Sequence, residues 1–182
     1  MEKQRISAAA TEFDPDRIVR TLIECGVDFV LVGGLAARLH GSDRSTGDVD
    51  CLPARDIENF DRLAVAMRKL NARLRIAGMT DDESKRLIVT LDAHTLMSFG
   101  GSTWTTDAGP LDVLVELRDQ SGRALNYDEL VERAVIVRIG SAAVRLAALR
   151  DIIEAKTFAG RQKDHEALPE LHRLLRDYDK EQ

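Results

Sequence analysis

Cysteine is scarce in this chain and positive charge is in the minority. Cys25 and Cys51 are the only two cysteines, and their separation matches no metal-ligand spacing. They are therefore expected to be free thiols of a reducing compartment, not parts of a disulfide scaffold. No stretch approaches the ~20 consecutive apolar residues needed to cross a bilayer, so a membrane role is not expected. The opening segment MEKQRISAAATEFDPDR lacks the apolar run of a secretory signal, and a cytoplasmic location is the expectation. Lys and Arg (26) are outnumbered by Asp and Glu (31), for a formal net charge of −5. That balance argues against a surface wholly devoted to gripping nucleic acid but leaves room for a local basic patch. Internal repeats and low-complexity segments are also missing.

The chain does have the means to bury a core. It is 182 residues long, 44% apolar and 31% charged, a globular balance in a length suited to one domain. The expected unit is residues 1–182, with a core at about 14–145 and C-terminal helices at 146–178.

Local patterns predict the elements. Asp14-Pro15 joins a helix N-cap to a proline at the first helical position, followed by the apolar stripe Ile18, Val19, Leu22 and Ile23. Residues 28–32, DFVLV, predict a buried strand closed by Gly33-Gly34. Leu35 to His40 predicts a short helix, SDRSTG a loop, and Asp48 to Leu52 a strand ended by Pro53. Ile57, Phe60, Leu63, Ala64, Met67 and Leu70 share one face of a long helix. Between Asn71 and His94 the pattern fits a strand at Leu74 to Ile76 and either a helix or a strand over Lys85 to Leu91. STWTT and LDVLVEL flank an AGP turn as a hairpin would. Tyr127 to Arg133 reads as helix, and AVIVRIG and AAVRLA surround Gly140-Ser141 as a second hairpin or bent strand. Helices over Ala147 to Phe158 and Asp164 to Tyr178 close the chain, with Gly160 between them and Pro169 expected to kink or restart the second. Strands beside helices and in hairpins together predict an α/β (α+β) fold, a mixed sheet with helices packed on it.

The sharpest feature is the order strand, Gly33-Gly34, short helix, polar loop, Asp48-Val49-Asp50. Two glycines where a strand turns into a helix let the backbone approach a ligand, and a helix N-terminus favours phosphate. Side chains two apart on a strand share a face, so Asp48 and Asp50 project together while Val49 enters the core. Two such carboxylates repel unless a divalent cation lies between them, and hard Mg²⁺ prefers oxygen ligands together with substrate phosphates. Asp112, which opens the apolar run LDVLVEL, is the candidate third carboxylate if its strand pairs beside the first.

A second clue lies in the C-terminal helices. Lys156 falls on the face defined by Leu149, Ile152 and Ile153, and Asp164 extends the stripe of Leu168, Leu171 and Leu175. Ionisable groups on inward faces have partners or ligands. Lys156 and Asp164 therefore form a structural ion pair, or Lys156 meets phosphates with Asp164 orienting it. His40 at a helix end reads as a cap or packing residue. Trp104 reads as core, with a base or acceptor pocket as the alternative.

These residues resemble the minimal nucleotidyltransferases of the DNA polymerase β-like superfamily, in particular the branch of toxin–antitoxin and abortive-infection systems. FVLVGGLAARLHGSDRSTGDVDCLP is similar to that branch's glycine pair, His and Arg-x-Thr-x-Asp-x-Asp pattern. The Asp112 strand follows, and then LRDIIEAKTFAGRQKDHEAL, similar to a helix-borne Lys, Gly-Arg, Lys-Asp signature. The resemblance implies the nucleotidyltransferase fold and a set of roles. Gly33 and Gly34 would hold the triphosphate, and Asp48 and Asp50 would bind Mg²⁺ or Mn²⁺. Asp112 would be the third metal-site carboxylate and help activate the acceptor; Lys156 would meet phosphate and Asp164 would support it. Arg44 and Thr46 match the loop before the carboxylates, where they either contact nucleotide or brace the loop. The chain departs from the wider superfamily in having Gly-Gly for Gly-Ser, and Ala167 where a further Asp is usual. The activity implied is transfer of a nucleoside monophosphate from a nucleoside triphosphate to the hydroxyl of a tRNA 3′ end, a protein or a small molecule. A cognate toxin or antitoxin protein is the implied partner, and a nucleotide-binding regulatory module without turnover is the alternative.

Overall fold

The structure is a computed structural model that describes residues 12–84, 86–139 and 142–181. Helix α1 (Pro15–Glu24) starts where Asp14 accepts the Arg17 N–H at 2.9 Å and buries Ile18, Val19 and Leu22. Strand β1 (Phe29–Val32) is buried at every position and runs into α2 (Gly33–Leu39). After the polar loop come β2 (Val49–Pro53), α3 (Ile57–Lys69), β3 (Arg73–Arg75), α4 (Asp81–Ser84) and α5 (Ala93–Ser98). The hairpin β4 (Ser102–Thr106) and β5 (Gly109–Val113) leads to a small separate ladder, β6 (Leu117–Arg118) with β7 (Ala124–Leu125). Helix α6 (Tyr127–Arg133) opens with a reciprocal capping box between Asn126 and Glu129. Strands β8 (Val135–Ile139) and β9 (Ala142–Leu146) precede α7 (Leu149–Ala159) and α8 (Gln162–Glu181).

Seven strands form one mixed sheet in the order β3-β4-β5-β2-β1-β9-β8. β1 is antiparallel to β2 and parallel to β9, and β2 is parallel to β5. β2 and β1 therefore lie at the middle, which is where buried strands belong. The fold is the expected mixed sheet with flanking helices and a C-terminal helical pair.

Several expectations need correction. Ile57 is 41% exposed, so the buried face of α3 starts one turn later, with Phe60 beside the polar Asn59, which is fully buried. Asn59 is tolerated because it bonds the backbone on three sides: it accepts the Asp28 N–H and donates to the Asp28 and Ala54 carbonyls, each at 2.8 Å. Residues 86–91 form neither helix nor strand. Gly109 and Pro110 belong to β5 and not to the hairpin turn, which is made by Asp107 and Ala108. The run LDVLVEL divides into β5 and β6 because the ladder with β2 ends at Val113. Pro169 does not restart α8, which runs unbroken through it. The proline removes one N–H that would have met the His165 carbonyl, and both residues are exposed, so water can serve that carbonyl. The expected turn at Gly140-Ser141 and Lys85 lie outside the described residues. Trp104 is fully buried, stands edge-on to Phe99 with ring centroids 6.0 Å apart, and donates its indole N–H to Ser102 at 2.8 Å. It is core and not pocket. No helix among the described residues is long and apolar enough to cross a membrane.

Candidate active site

Two parallel strands bring together carboxylates that are far apart in sequence. The β2–β5 register sets Asp50 directly opposite Asp112, and Asp48 immediately precedes β2. Ligand oxygens of Asp48, Asp50 and Asp112 all lie within 4.8 Å of one another. Burial, followed by the charges of Asp48 and Asp112, pushes Asp50 up to about 7; the Gly34 amide and the Lys163 charge pull the other way. Asp112 is also raised, chiefly by burial, with the Asp48 charge adding to it. Its Oδ1 atom is buried and has no hydrogen-bond partner. An orphaned carboxylate oxygen among crowded acids is a ligand atom in need of a cation, and the all-oxygen donor set suits a hard divalent ion.

The glycine pair is required by these side chains as well as by any ligand. Gly33 has φ 66°, and a Cβ there would fall 2.0 Å from Asp50 Oδ2. A Cβ on Gly34 would fall 2.5 Å from Thr46 Oγ1. No side chain fits at either position without moving the carboxylate or the loop. Thr46 in turn donates its hydroxyl to Asp48 Oδ1 at 2.9 Å. Arg44 is turned toward α8, where its guanidinium meets the Glu166 carboxylate at 3.1 Å and the Glu166 carbonyl at 3.3 Å. The Asp43 N–H donates to Glu170 at 2.7 Å, so the loop before the carboxylates is tied to the last helix at two points. The His40 ring bonds the Ala147 carbonyl at 2.9 Å, which joins the end of α2 to the segment leading into α7.

Lys156 and Asp164 meet at 3.1 Å, and Asp164 is fully buried. Arg161, to which sequence reasoning assigned no role, donates to the other Asp164 oxygen at 2.6 Å. Burial would raise the Asp164 pKa, but hydrogen bonds from Arg161 and Lys156 outweigh it and hold the carboxyl below its ordinary value. All the sequence-predicted residues except Asp164 line one cavity of about 410 Å³, within the range of small-molecule sites. Asp164 sits behind the wall and holds two cations that belong to it. Arg161 and Lys163 on that wall were missed, although Gly160-Arg161 and Lys163-Asp164 stand within the C-terminal motif. Ala167, 4% exposed, fills the wall where a further carboxylate was expected by resemblance. Cys51, fully buried next to Asp50, has its thiol pushed up by burial first and then by Asp50 and Asp112, so it is no nucleophile.

No protein-family model and no curated protein matches the chain. Solved structures do match. A candidate nucleotidyltransferase from Thermotoga maritima aligns with TM-score 0.52 and 14% identity over 97% of this chain and 100% of its own. The lincosamide antibiotic adenylyltransferase LnuA, with lincomycin bound, gives TM-score 0.57 and 11% identity over 90% of this chain and 99% of its own. The antibiotic-resistance factor ANT(2″)-Ia, in complex with adenylyl-2″-tobramycin, gives TM-score 0.50 and 14% identity over 91% and 95%. At such identities the likeness establishes the fold: the chain has the nucleotidyltransferase fold.

Proposed function

We propose that this protein transfers a nucleoside monophosphate from a nucleoside triphosphate to an acceptor hydroxyl. The observation that carries the reading is the meeting of Asp48, Asp50 and Asp112 within 4.8 Å in a cavity that also contains Lys156, Arg161 and Lys163. Acids and bases in one cleft suit a polyphosphate accompanied by a divalent cation. Asp48, Asp50 and Asp112 would hold Mg²⁺ or Mn²⁺, which when bound neutralises charge on the phosphates and on the attacking oxygen. Lys156, kept in place by Asp164, binds the phosphates as a point charge, and Gly33 and Gly34 let the backbone approach them. Thr46 fixes Asp48, and Arg44 braces the loop that carries both. Asp112, whose carboxyl is raised above its ordinary value by burial and whose Oδ1 is free, is suited to take the proton of the acceptor hydroxyl. The acceptor oxygen then forms its bond to the α-phosphorus while the bond to the pyrophosphate oxygen breaks.

The order of the sequence motifs supports a place in the toxin–antitoxin and abortive-infection branch, with a cognate protein partner and a cytoplasmic setting. The lincomycin and adenylyl-tobramycin in the neighbouring structures support a small-molecule acceptor, alongside a tRNA 3′ end or a protein. Incubation of the protein with each α-labelled triphosphate, Mg²⁺ and, separately, total RNA, total protein and aminoglycoside or lincosamide panels tests the reading. Label should appear on one acceptor class and vanish with chelator. Tight nucleotide binding without transfer to any class would make the protein a regulatory binding module.

Lys156→Met separates the two roles of that lysine. Asp164 keeps Arg161 as a partner in the variant, so its charge is not stranded and the melting temperature should change little. Triphosphate affinity should fall by about 1.5 to 3 kcal/mol, the value of a hydrogen bond to a charged group, which is roughly 10- to 150-fold in Kd. A large drop in melting temperature with unchanged affinity would leave Lys156 with a structural role only.

A further inference from the structure

We propose that Phe158 is the stacking surface for the base of the nucleotide, an inference that rests on the triphosphate reading above. Phe158 is a large apolar side chain near the end of α7, yet it is 51% exposed, and it lines the same cavity as the three carboxylates. An aromatic ring left half open beside polar groups is a poor core residue and a ready platform for a flat ligand.

The ring is also backed. A Cβ on Gly122 would fall 3.0 Å from Phe158 Cε2, so the glycine backbone lies close against the ring. Gly122 has φ 88°, a left-handed conformation natural to glycine. The turn that presents it is held by its own hydrogen bonds. Gly122 donates its N–H to the Asp119 carbonyl at 2.9 Å, and the Asp119 side chain accepts the Ser121 and Arg123 amides at 2.9 and 3.0 Å. Arg118 donates to the Gly122 carbonyl at 3.0 Å and pairs with Glu116, which holds a planar guanidinium on the same cavity wall. Leu114 and Leu117 make that part of the wall apolar. The cavity thus combines a carboxylate cluster and cations, suited to metal and phosphates, with an aromatic and aliphatic region beside a guanidinium, suited to a nucleobase. Every base has a π-face, so such a seat discriminates weakly among the four nucleotides.

Titration with ATP, GTP, CTP, UTP and inorganic tripolyphosphate, each with Mg²⁺, tests the seat in wild type, Phe158→Ala and Phe158→Trp. Base–aromatic stacking is worth about 1–3 kcal/mol, so Phe158→Ala should weaken the nucleotides roughly 5- to 150-fold. Tripolyphosphate should bind as before. Because Trp104 is fully buried, the indole in Phe158→Trp is the exposed reporter. Its fluorescence should be quenched by nucleotide and not by tripolyphosphate, with affinity retained. Equal losses for nucleotide and tripolyphosphate in Phe158→Ala, or no loss for either, would overturn the seat. If wild type binds tripolyphosphate and nucleotides equally well, the base seat fails while the phosphate site stands. If it binds neither, both readings fail together.

Discussion

Asp50→Asn is expected to extinguish transfer and yet to raise the melting temperature of the metal-free protein at pH 8. Asp50 ionises near 7 in the fold, against an ordinary value of 3.8. Below 3.8 both the folded and the unfolded chain hold the proton, and stability is unaffected by this group. As pH rises, the unfolded chain releases it first, and the fold loses stability until pH passes about 7. Roughly three pH units at 1.36 kcal/mol each give a cost on the order of 4 kcal/mol above neutrality, which asparagine escapes. Saturating Mg²⁺ should stabilise wild type at pH 8 far more than the variant, because at that pH all three carboxylates are charged and the cation offsets their repulsion, whereas the variant lacks one of the ligands. Transfer should fall on the order of 10³-fold, since the metal supplies several kcal/mol of charge stabilisation. Thermal unfolding at pH 5 and pH 8 with and without Mg²⁺, beside a rate assay, provides the check. A variant less stable than wild type without metal at pH 8 would mean that the carboxylates are a structural network.

The opposite pattern is expected at Asp164. This carboxylate is fully buried and holds Lys156 and Arg161, so Asp164→Ala leaves two cations without their partner. Arg161 is 61% exposed and Lys156 17%, so neither cation is stranded in the interior and the cost is that of the lost charged hydrogen bonds, about 1.5–3 kcal/mol, which in a chain of this length lowers the melting temperature by roughly 5 °C. Because the Asp164 pKa lies below its ordinary value of 3.8, its contribution is present in full above that pH and is lost as pH falls through the folded value. The gap between wild type and variant should therefore hold from neutral pH down to about 4 and narrow only below it. Urea unfolding at pH 7 and pH 3 measures both. A gap of less than about 1 kcal/mol at pH 7 would place the Asp164 contribution in the range of an exposed ion pair.

Much of this architecture was readable from local pattern. Asp14-Pro15, the run DFVLV and the alternation Asp48-Val49-Asp50 each specify a local conformation through their own backbone and side-chain chemistry, and the elements formed within a residue of expectation, except that Pro53 does not follow β2 but is its last residue, paired with Phe29. Asp112 was legible as an acid opening an apolar strand, but its register opposite Asp50 is a property of two strands and is not written in either. The whole sheet order is non-local in the same way. Arg161 was missed because it lies between two helices, where an exposed charge has no periodicity to contradict. Phe158 continued an apolar helix in the sequence, and only the glycine of a remote turn shows that it is partnered on one side and open on the other. The restart expected at Pro169 does not occur, because propensity counts the lost hydrogen bond and ignores the exposed side on which water can replace it.

The parallel pairing of β2 with β5 also bears on how the molecule assembles. Asp50 and Asp112 meet only when a parallel ladder spanning some sixty residues of chain has closed, and pairings of that kind form late and slowly. The repulsion among the acids is then absent from the early, loosely formed chain and arises only as the last order is gained. A bound cation would accordingly leave the folding rate almost unchanged and slow unfolding instead, acting as a latch on a finished structure and not as a seed for an unfinished one.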